Sequence, residues 1–445
     1  MTATDPLILG AGGFLALLLL LALRVPIAVA LAAIGSFGFI AMAGLAPYLA
    51  FVKGGVFEVA SNYSFSVIPL FLLMGNLAAG SGLARRLFEG MNALVGHRSG
   101  GLAMAAVGSC AAFGTICGSS LATAATMARV ALPQMRRLGY SGALSTGSLA
   151  AGGALGILVP PSVPLVVYAL LTEQNVAKLF LAAFLPAALA ILGFFVAIRV
   201  TVALDPASAP RAPRGTARSR LAAVADIWPV VAIFLVVFVG MNGDFFFGRS
   251  LFSPTEGAAI GALSTGIAAA TAGRMRLKGL IFALEQTALQ SAMIFLILIG
   301  AEIYNAFLAR TRLPDEIAAV IVGAGIAPVL VVVAIVALYI LLGCLMDSLS
   351  MILLTVPVFF PVVMGLDFGL GREETAIWFG ILVLIVVELG LIHPPVGLNI
   401  YVIQGFARDV TMAETMRGVV PFLLAEFVRV ALIIAFPAIA LALIR

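Results

Sequence analysis

The 445-residue chain is poor in charge, with only 10% of its residues Asp, Glu, Lys or Arg. Soluble domains carry about 25% charged residues, and a chain this long without them cannot cover its surface with groups that water solvates. It is instead 63% hydrophobic with a mean hydropathy of +1.19, and it reads as a polytopic membrane protein. Histidine is scarcer still: only His97 and His393 occur, and only His393 falls in a deep apolar stretch. No paired catalytic carboxylates and no serine with an evident base accompany it, which argues against an intramembrane protease or lipid transferase. The three cysteines (Cys110, Cys117, Cys344) lack metal-ligand spacing and read as small core residues. No glycine-rich lysine motif is present to cradle a nucleotide phosphate, so a primary pump is set aside. The net charge of +5 is spread over short loops and forms no basic face for nucleic acid.

Apolar runs between charged or Pro/Gly breaks predict spans near 7–22, 26–44, 67–82, 142–171, 179–200, 226–243, 254–272, 286–308, 376–404 and 418–443. The first run has no Lys or Arg before it and another follows at once, so it reads as a membrane helix and not a cleaved signal. Two further runs, 99–128 and 327–363, do not fit as simple spans. Basic residues mark the cytoplasmic side. Their clusters are Arg85, Arg86 and Arg98; Arg129, Arg136 and Arg137; Arg199, Arg211, Arg214, Arg218 and Arg220; and Arg274, Arg276 and Lys278. These share one side, with Arg24, Arg408 and Arg417, only if both awkward runs enter and leave the membrane on the same face. Both termini then fall outside the cytoplasm. The Pro-, Ala- and Arg-rich stretch 205–220 is expected to be a disordered cytoplasmic tether between two halves, with arginines near anionic lipid.

The halves resemble each other. From Gly82-Leu83 an amphipathic segment leads to an apolar run, Cys117-Gly118-Ser119-Ser120 and Pro133. From Arg312-Leu313 the chain runs similarly to Met346-Asp347-Ser348-Leu349-Ser350, Pro357 and Pro361. Each is followed by a long apolar span with a double proline, Gly156-Ile157-Leu158-Val159-Pro160-Pro161-Ser162 and Gly390-Leu391-Ile392-His393-Pro394-Pro395-Val396. An odd number of crossings separates the two copies, so their orientations are opposite. Inverted repeats with interrupted spans in corresponding positions point to the binding site of a secondary transporter. The expected fold is thus all-α and polytopic, each repeat carrying a re-entrant hairpin and a broken membrane helix. Repeats over 83–178 and 312–407 would form a transport domain. Scaffold helices would occupy 1–82 and 179–311, and a C-terminal arm with the last helix 408–445.

A double proline removes two backbone donors and opens the helix, and the freed carbonyls are tolerated only inside protein or against a cavity. Tip 117–120 beside break 159–163 would form one oxygen-lined cage, from Gly118, Ser119, Ser120, Val159, Pro160 and Ser162. Tip 346–350 beside break 393–399 would form a second, from Asp347, Ser348, Ser350, His393, Pro394 and Gly397. Hard cations take oxygen ligands, and half-helix N-termini at the breaks favour an anion between them; Ser119, Ser350 and Asn399 are the substrate-facing candidates. Close helix packing is the competing reading of each Ser/Gly site.

Ionisable residues within apolar stretches are functional candidates by default. Asp347 sits at a tip, placed to orient or bind a cation. Glu302 lies beside Tyr304 and Asn305 and reads as structural, near the water interface. Glu388 is a further such residue in an apolar span, and Glu426 and Arg429, three apart on one helix, are expected to satisfy each other. His393 is open between a proton-sensitive group and a hydrogen-bonded filler.

At these residues the chain resembles the large membrane subunit of tripartite ATP-independent periplasmic (TRAP) transporters. Ile68-Pro69-Leu70-Phe71 with Gly75-Asn76-Leu77, Gly118-Ser119-Ser120-Leu121-Ala122-Thr123-Ala124, both double-proline segments, Leu171-Thr172-Glu173-Gln174 and Gly397-Leu398-Asn399 carry the resemblance, which covers nearly the whole chain. It implies a sodium-coupled importer of small organic anions in the bacterial inner membrane, working by an elevator movement within the ion-transporter superfamily. Sodium is then the coupling ion, and no other cofactor is implied. The implied partners are a small membrane (Q-type) subunit and a periplasmic substrate-binding protein. Two positions depart from the family pattern: Cys117 stands where serine is usual before Gly-Ser-Ser, and His393 where threonine is usual before Pro-Pro. If those hydroxyls bind sodium in relatives, this chain must use carbonyls, water or neighbours. A stand-alone sodium- or proton-coupled carboxylate symporter is the alternative, distinguished by uptake without a binding protein.

Overall fold

The structure is a computed structural model that describes residues 5–211, 216–271, 273, 275–344 and 346–445; Arg214 and Arg274 lie outside the described residues. No β-strand occurs among the described residues. The first half comprises α1 (Pro6–Ala22), α2 (Ile27–Ala43), α3 (Leu45–Ser61), α4 (Val67–Gly80), α5 (Leu83–Val95), α6 (Gly101–Cys117), α7 (Ser120–Arg137), α8 (Gly142–Ala154), α9 (Val163–Leu171) and α10 (Val176–Leu204). The second comprises α11 (Ala217–Ala225), α12 (Trp228–Met241), α13 (Gly243–Phe247), α14 (Pro254–Thr271), α15 (Leu277–Thr311), α16 (Leu313–Gly323), α17 (Pro328–Gly343), α18 (Ser348–Met364), α19 (Arg372–Ile392), α20 (Leu398–Phe406), α21 (Met412–Ala435) and α22 (Ala438–Leu441). Among the described residues, five helical stretches are long and apolar enough to cross a bilayer.

Both awkward runs are helical hairpins. α6 ends where Gly118 turns left-handed at φ +62, and α7 starts at once behind Ser119. α17 and α18 meet at Asp347, whose carboxylate caps α18 by accepting from the backbone N–H of Leu349 and Ser350 at 3.1 and 3.2 Å. The double prolines break their spans as expected: α8 stops before Pro160-Pro161 and α9 restarts at Val163, while α19 stops before Pro394-Pro395 and α20 restarts at Leu398. The Pro-Pro bond is cis in both breaks.

The repeats interlock. Hairpin α6–α7 packs on α8 of its own repeat and on α20 of the other, and hairpin α17–α18 packs on α19 and, across the repeats, on α9. α10 and α21 lie against α6, α8 and α19. A second group, α1, α2, α3, α4, α12, α14 and α15, packs mainly around α2–α15 and α4–α14.

Two expectations change. Helix α3 occupies a stretch for which the sequence predicted no span; its polar Lys53, Glu58 and paired glycines keep it from reading as one. The tether 205–220 is not wholly disordered. Pro206–Ser208 form a 3-10 turn whose Ser208 carbonyl accepts from the Ser141 N–H at 2.9 Å, and Ser208 and Ala209 are buried. From Ala217 the chain is α11, packed on α5. Proline stops α10 but does not prevent the next turn from bonding across to the α7–α8 corner.

Candidate ion and substrate site

Each hairpin tip meets the double-proline break of its own repeat, because a glycine at each crossing lets the backbones touch. A Cβ on Gly114 of α6 would lie 2.7 Å from Gly156 Cα, and a Cβ on Gly343 of α17 would lie 2.8 Å from Gly390 Cα. These distances are closer than any side chain permits, so the first glycine of each Gly-x-x-x-Pro-Pro segment is there for close approach.

At the first site, a Cβ on Gly118 would stand 3.5 Å from the Val163 amide nitrogen and 4.0 Å from Ser162 Cα, which brings the tip and the break together. Ser119 caps α7, its hydroxyl oxygen accepting from the Ala122 N–H at 3.4 Å. Ser162 is fully buried and donates to the Ile157 carbonyl, leaving its lone pairs to face the break. Ser120 and Pro160 are buried and Val159 is half-buried. Among the described residues no backbone N–H donates to the carbonyls of Gly118, Val159, Pro160 or Pro161. Buried carbonyls without donors carry a desolvation cost. Gly75 of α4 closes the far side, tight against the Cys117 carbonyl.

At the second site, Asp347 is engaged with its own helix end, accepting also from the Ser350 hydroxyl. Ser348 is half-buried and opens α18, and Ser350 is buried. Gly397, at φ +32, has the His393 and Leu391 carbonyls 3.1 Å from where a Cβ would stand. No backbone N–H among the described residues donates to Pro394, Pro395 or Val396 carbonyls. The contact between tip and break runs through a residue that sequence reasoning passed over as filler: Cys344 Sγ lies 3.6 Å from the His393 carbonyl and 3.9 Å from its Nδ1. His393 also stands edge-on to Phe427, with ring centroids 6.2 Å apart.

Asn399 is fully buried between α20 and α8, its Nδ2 donating to the Ala150 carbonyl at 3.2 Å while Oδ1 has no partner. Thr123, one turn along α7, is likewise buried with a partnerless Oγ1 and points at Gly156. Nothing in the spacing marked Thr123 beyond its place in the first hairpin motif. The acids in the spans are placed differently. Glu302 is exposed on α15. Arg429 Nη2 donates to Glu388 Oε2 at 2.7 Å and also to Glu426, all three buried, so the expected pair is a triad joining α19 to α21.

A cleft of about 380 Å³ separates α9 and α18 from α15 and α16, lined by Leu171, Asn305, Arg312, Val356 and Phe360 among others. Its arginine was not evident from the sequence because Arg312 precedes a helix and reads as a loop charge.

Comparison with known proteins gives a consistent picture. The family profile described as "Tripartite ATP-independent periplasmic transporter, DctM component" matches residues 14–439. The C4-dicarboxylate TRAP transporter large permease protein DctM of Pseudomonas aeruginosa is 33% identical over 390 residues, 87% of this chain and 88% of that protein. The sialic acid TRAP transporter large permease protein SiaM of Vibrio cholerae is 28% identical over 84% of this chain and 85% of its own. Among solved structures, the YdaH transporter of Alcanivorax borkumensis, described as having an unusual topology, superposes with a TM-score of 0.61 at 17% identity, covering 97% of this chain and 98% of that one; the likeness is one of fold.

Proposed function

This chain belongs to the tripartite ATP-independent periplasmic transporter family, as its DctM component, and from that premise we propose that it imports a small organic anion across the bacterial inner membrane by sodium coupling. The observation that supports the coupling ion is the pair of tip-and-break contacts, each leaving backbone carbonyls of the break without an N–H donor beside a serine or carboxylate. Sodium suits oxygen cages built mostly from neutral carbonyls and hydroxyls, because little ligand charge must be desolvated to receive it. The first cage uses Gly118, Ser119, Val159, Pro160 and Ser162, and the second uses Asp347, Ser350, His393, Pro394 and Gly397. Asn399 and Thr123 hold partnerless oxygens near the repeat interface and orient the ion-bound state.

The anion is received between the two half-helix N-termini, where partial positive charge gathers. Arg312, which lines the cleft between α16 and α18 together with Asp315, is the cation nearest that path. The hairpins and broken helices, with α10 and α21 packed on them, move as one body against the α2–α15 and α4–α14 group, an elevator movement. C4-dicarboxylates and sialic acid, the substrates named for relatives, set the class: a carboxylate-bearing anion delivered by a periplasmic binding protein to a complex with a small membrane subunit.

The partners are tested by purifying the tagged chain from its native membrane in mild detergent and identifying its companions by mass spectrometry. A small multi-span protein in constant ratio is the expected result. A chain that purifies alone, and transports without any soluble partner, would establish the stand-alone symporter instead.

A further inference from the structure

Two cavities adjoin along α10. One, of about 640 Å³, is lined by His97, Arg98 and Ser99 from the α5–α6 turn, by Arg199 and Ala203 near the end of α10, and by Arg211 beyond it. Three guanidiniums and no carboxylate line it, and Arg98, Arg199 and Arg211 form no ion pair among the described residues. The walls are held in place. Gly100 turns left-handed at φ +72 against α10, where a Cβ would lie 2.8 Å from Ile198 Cγ2, and Ser208 beyond α10 is tied to Ser141.

The other cavity, of about 470 Å³, is a groove between α10 and α21 in which Leu192, Val196 and Val200 face Leu424 and Val428. These side chains are exposed, and all five are apolar. Arg429 lies at the groove's floor, but its guanidinium is engaged by Glu388 and Glu426. Leu192, Val196, Val200 and Ala203 follow one another at helical spacing on one face, and Val200 and Ala203 are about 4.5 Å apart along the axis. The basic cavity therefore opens at the head of the apolar groove, on the side that the arginine clusters mark as cytoplasmic.

We propose that the two cavities form one site for an anionic phospholipid, its phosphate among Arg98, Arg199 and Arg211 and an acyl chain along the α10–α21 groove. Phosphate chemistry fits the guanidiniums, which bind it in bidentate fashion, and basic pockets at the cytoplasmic ends of membrane helices take anionic headgroups. A free phosphate would satisfy the arginines but leave the groove unfilled; the apolar groove that begins about one helical turn away on the same face of α10 favours the lipid.

The test uses the purified, delipidated complex, titrated with phosphatidylglycerol or phosphatidylcholine of identical chains and read by native mass spectrometry, with inorganic phosphate as competitor. Phosphatidylglycerol is expected to bind about tenfold tighter or better, and the double substitution Arg98→Gln with Arg199→Gln to weaken it about thirtyfold. Lysine at both positions restores most of the affinity, which separates lost charge from misfolding. Gly193→Leu fills the groove, since a Cβ there already stands 3.4 Å from Ala425 Cβ, and weakens both lipids. Equal binding of the two lipids by the unaltered complex overturns the proposal. So does displacement of phosphatidylglycerol by millimolar phosphate together with an inert Gly193→Leu, which would identify a soluble anion.

Discussion

Four residues before each double proline, Gly156 and Gly390 lie where a hairpin backbone crosses the broken helix: a Cβ on Gly114 would stand 2.7 Å from Gly156 Cα, and a Cβ on Gly390 2.7 Å from Gly343 Cα. The sequence showed the spacing Gly-x-x-x-Pro-Pro twice but not its purpose, because close approach depends on a partner, Gly114 or Gly343, dozens of residues away. Gly390→Val is expected to push α17 off α19 and to destabilise the protein by about 1–3 kcal/mol, read as a fall in melting temperature in detergent; an unchanged melt contradicts the close crossing. The tip serines, the tip aspartate and both prolines were legible by residue type. Cys344 was not, since a lone cysteine in an apolar run reads as filler, yet it is the atom that touches His393. His393 has the Cys344 sulfur and the edge of Phe427 around it.

Apolar runs bounded by proline, glycine and charge were enough to find most of the long helices, and the two runs that failed as spans proved to be the hairpins. What composition could not give was order within polar stretches. Helix α11 and the turn Pro206–Ser208 arise from contacts with α5 and with Ser141, and α3 carries too much polarity for its length to register. Helix-to-helix pairing was equally hidden: Glu388 on α19 meets Arg429 on α21 across a sequence separation of 41, and Arg429 joins it to Glu426. Removing one member of such a buried group leaves the others uncompensated. Arg429→Met is expected to cost about 3–5 kcal/mol, whereas replacing Glu388, Glu426 and Arg429 together by apolar residues of similar size is expected to cost far less. Thermal unfolding of the detergent-solubilised variants measures both, and equal losses would show that the triad is not a mutually compensating unit.

The whole molecule is two interlocked copies of one plan, each hairpin seated on the break of its own repeat and on the restarted half-helix of the other. That exchange ties the four broken elements into one body, and the cleft lined by Arg312 runs along its boundary with α15 and α16. The recurrence of hairpin and double-proline break was readable from motif order, and with it the class of protein; the cross-repeat contacts α7–α20 and α9–α18 were not, because nothing in either segment names its distant neighbour. The central claim is that this body carries an organic anion only together with sodium. Its most direct test is initial uptake of labelled carboxylates into proteoliposomes holding the complete complex, with the binding protein supplied outside and the sodium gradient set independently of pH and voltage. Uptake is expected to require both an inward sodium gradient and the binding protein, and to fall sharply for Ser119→Ala with Ser162→Ala although the variant is folded. Equal uptake with sodium replaced by potassium would contradict it.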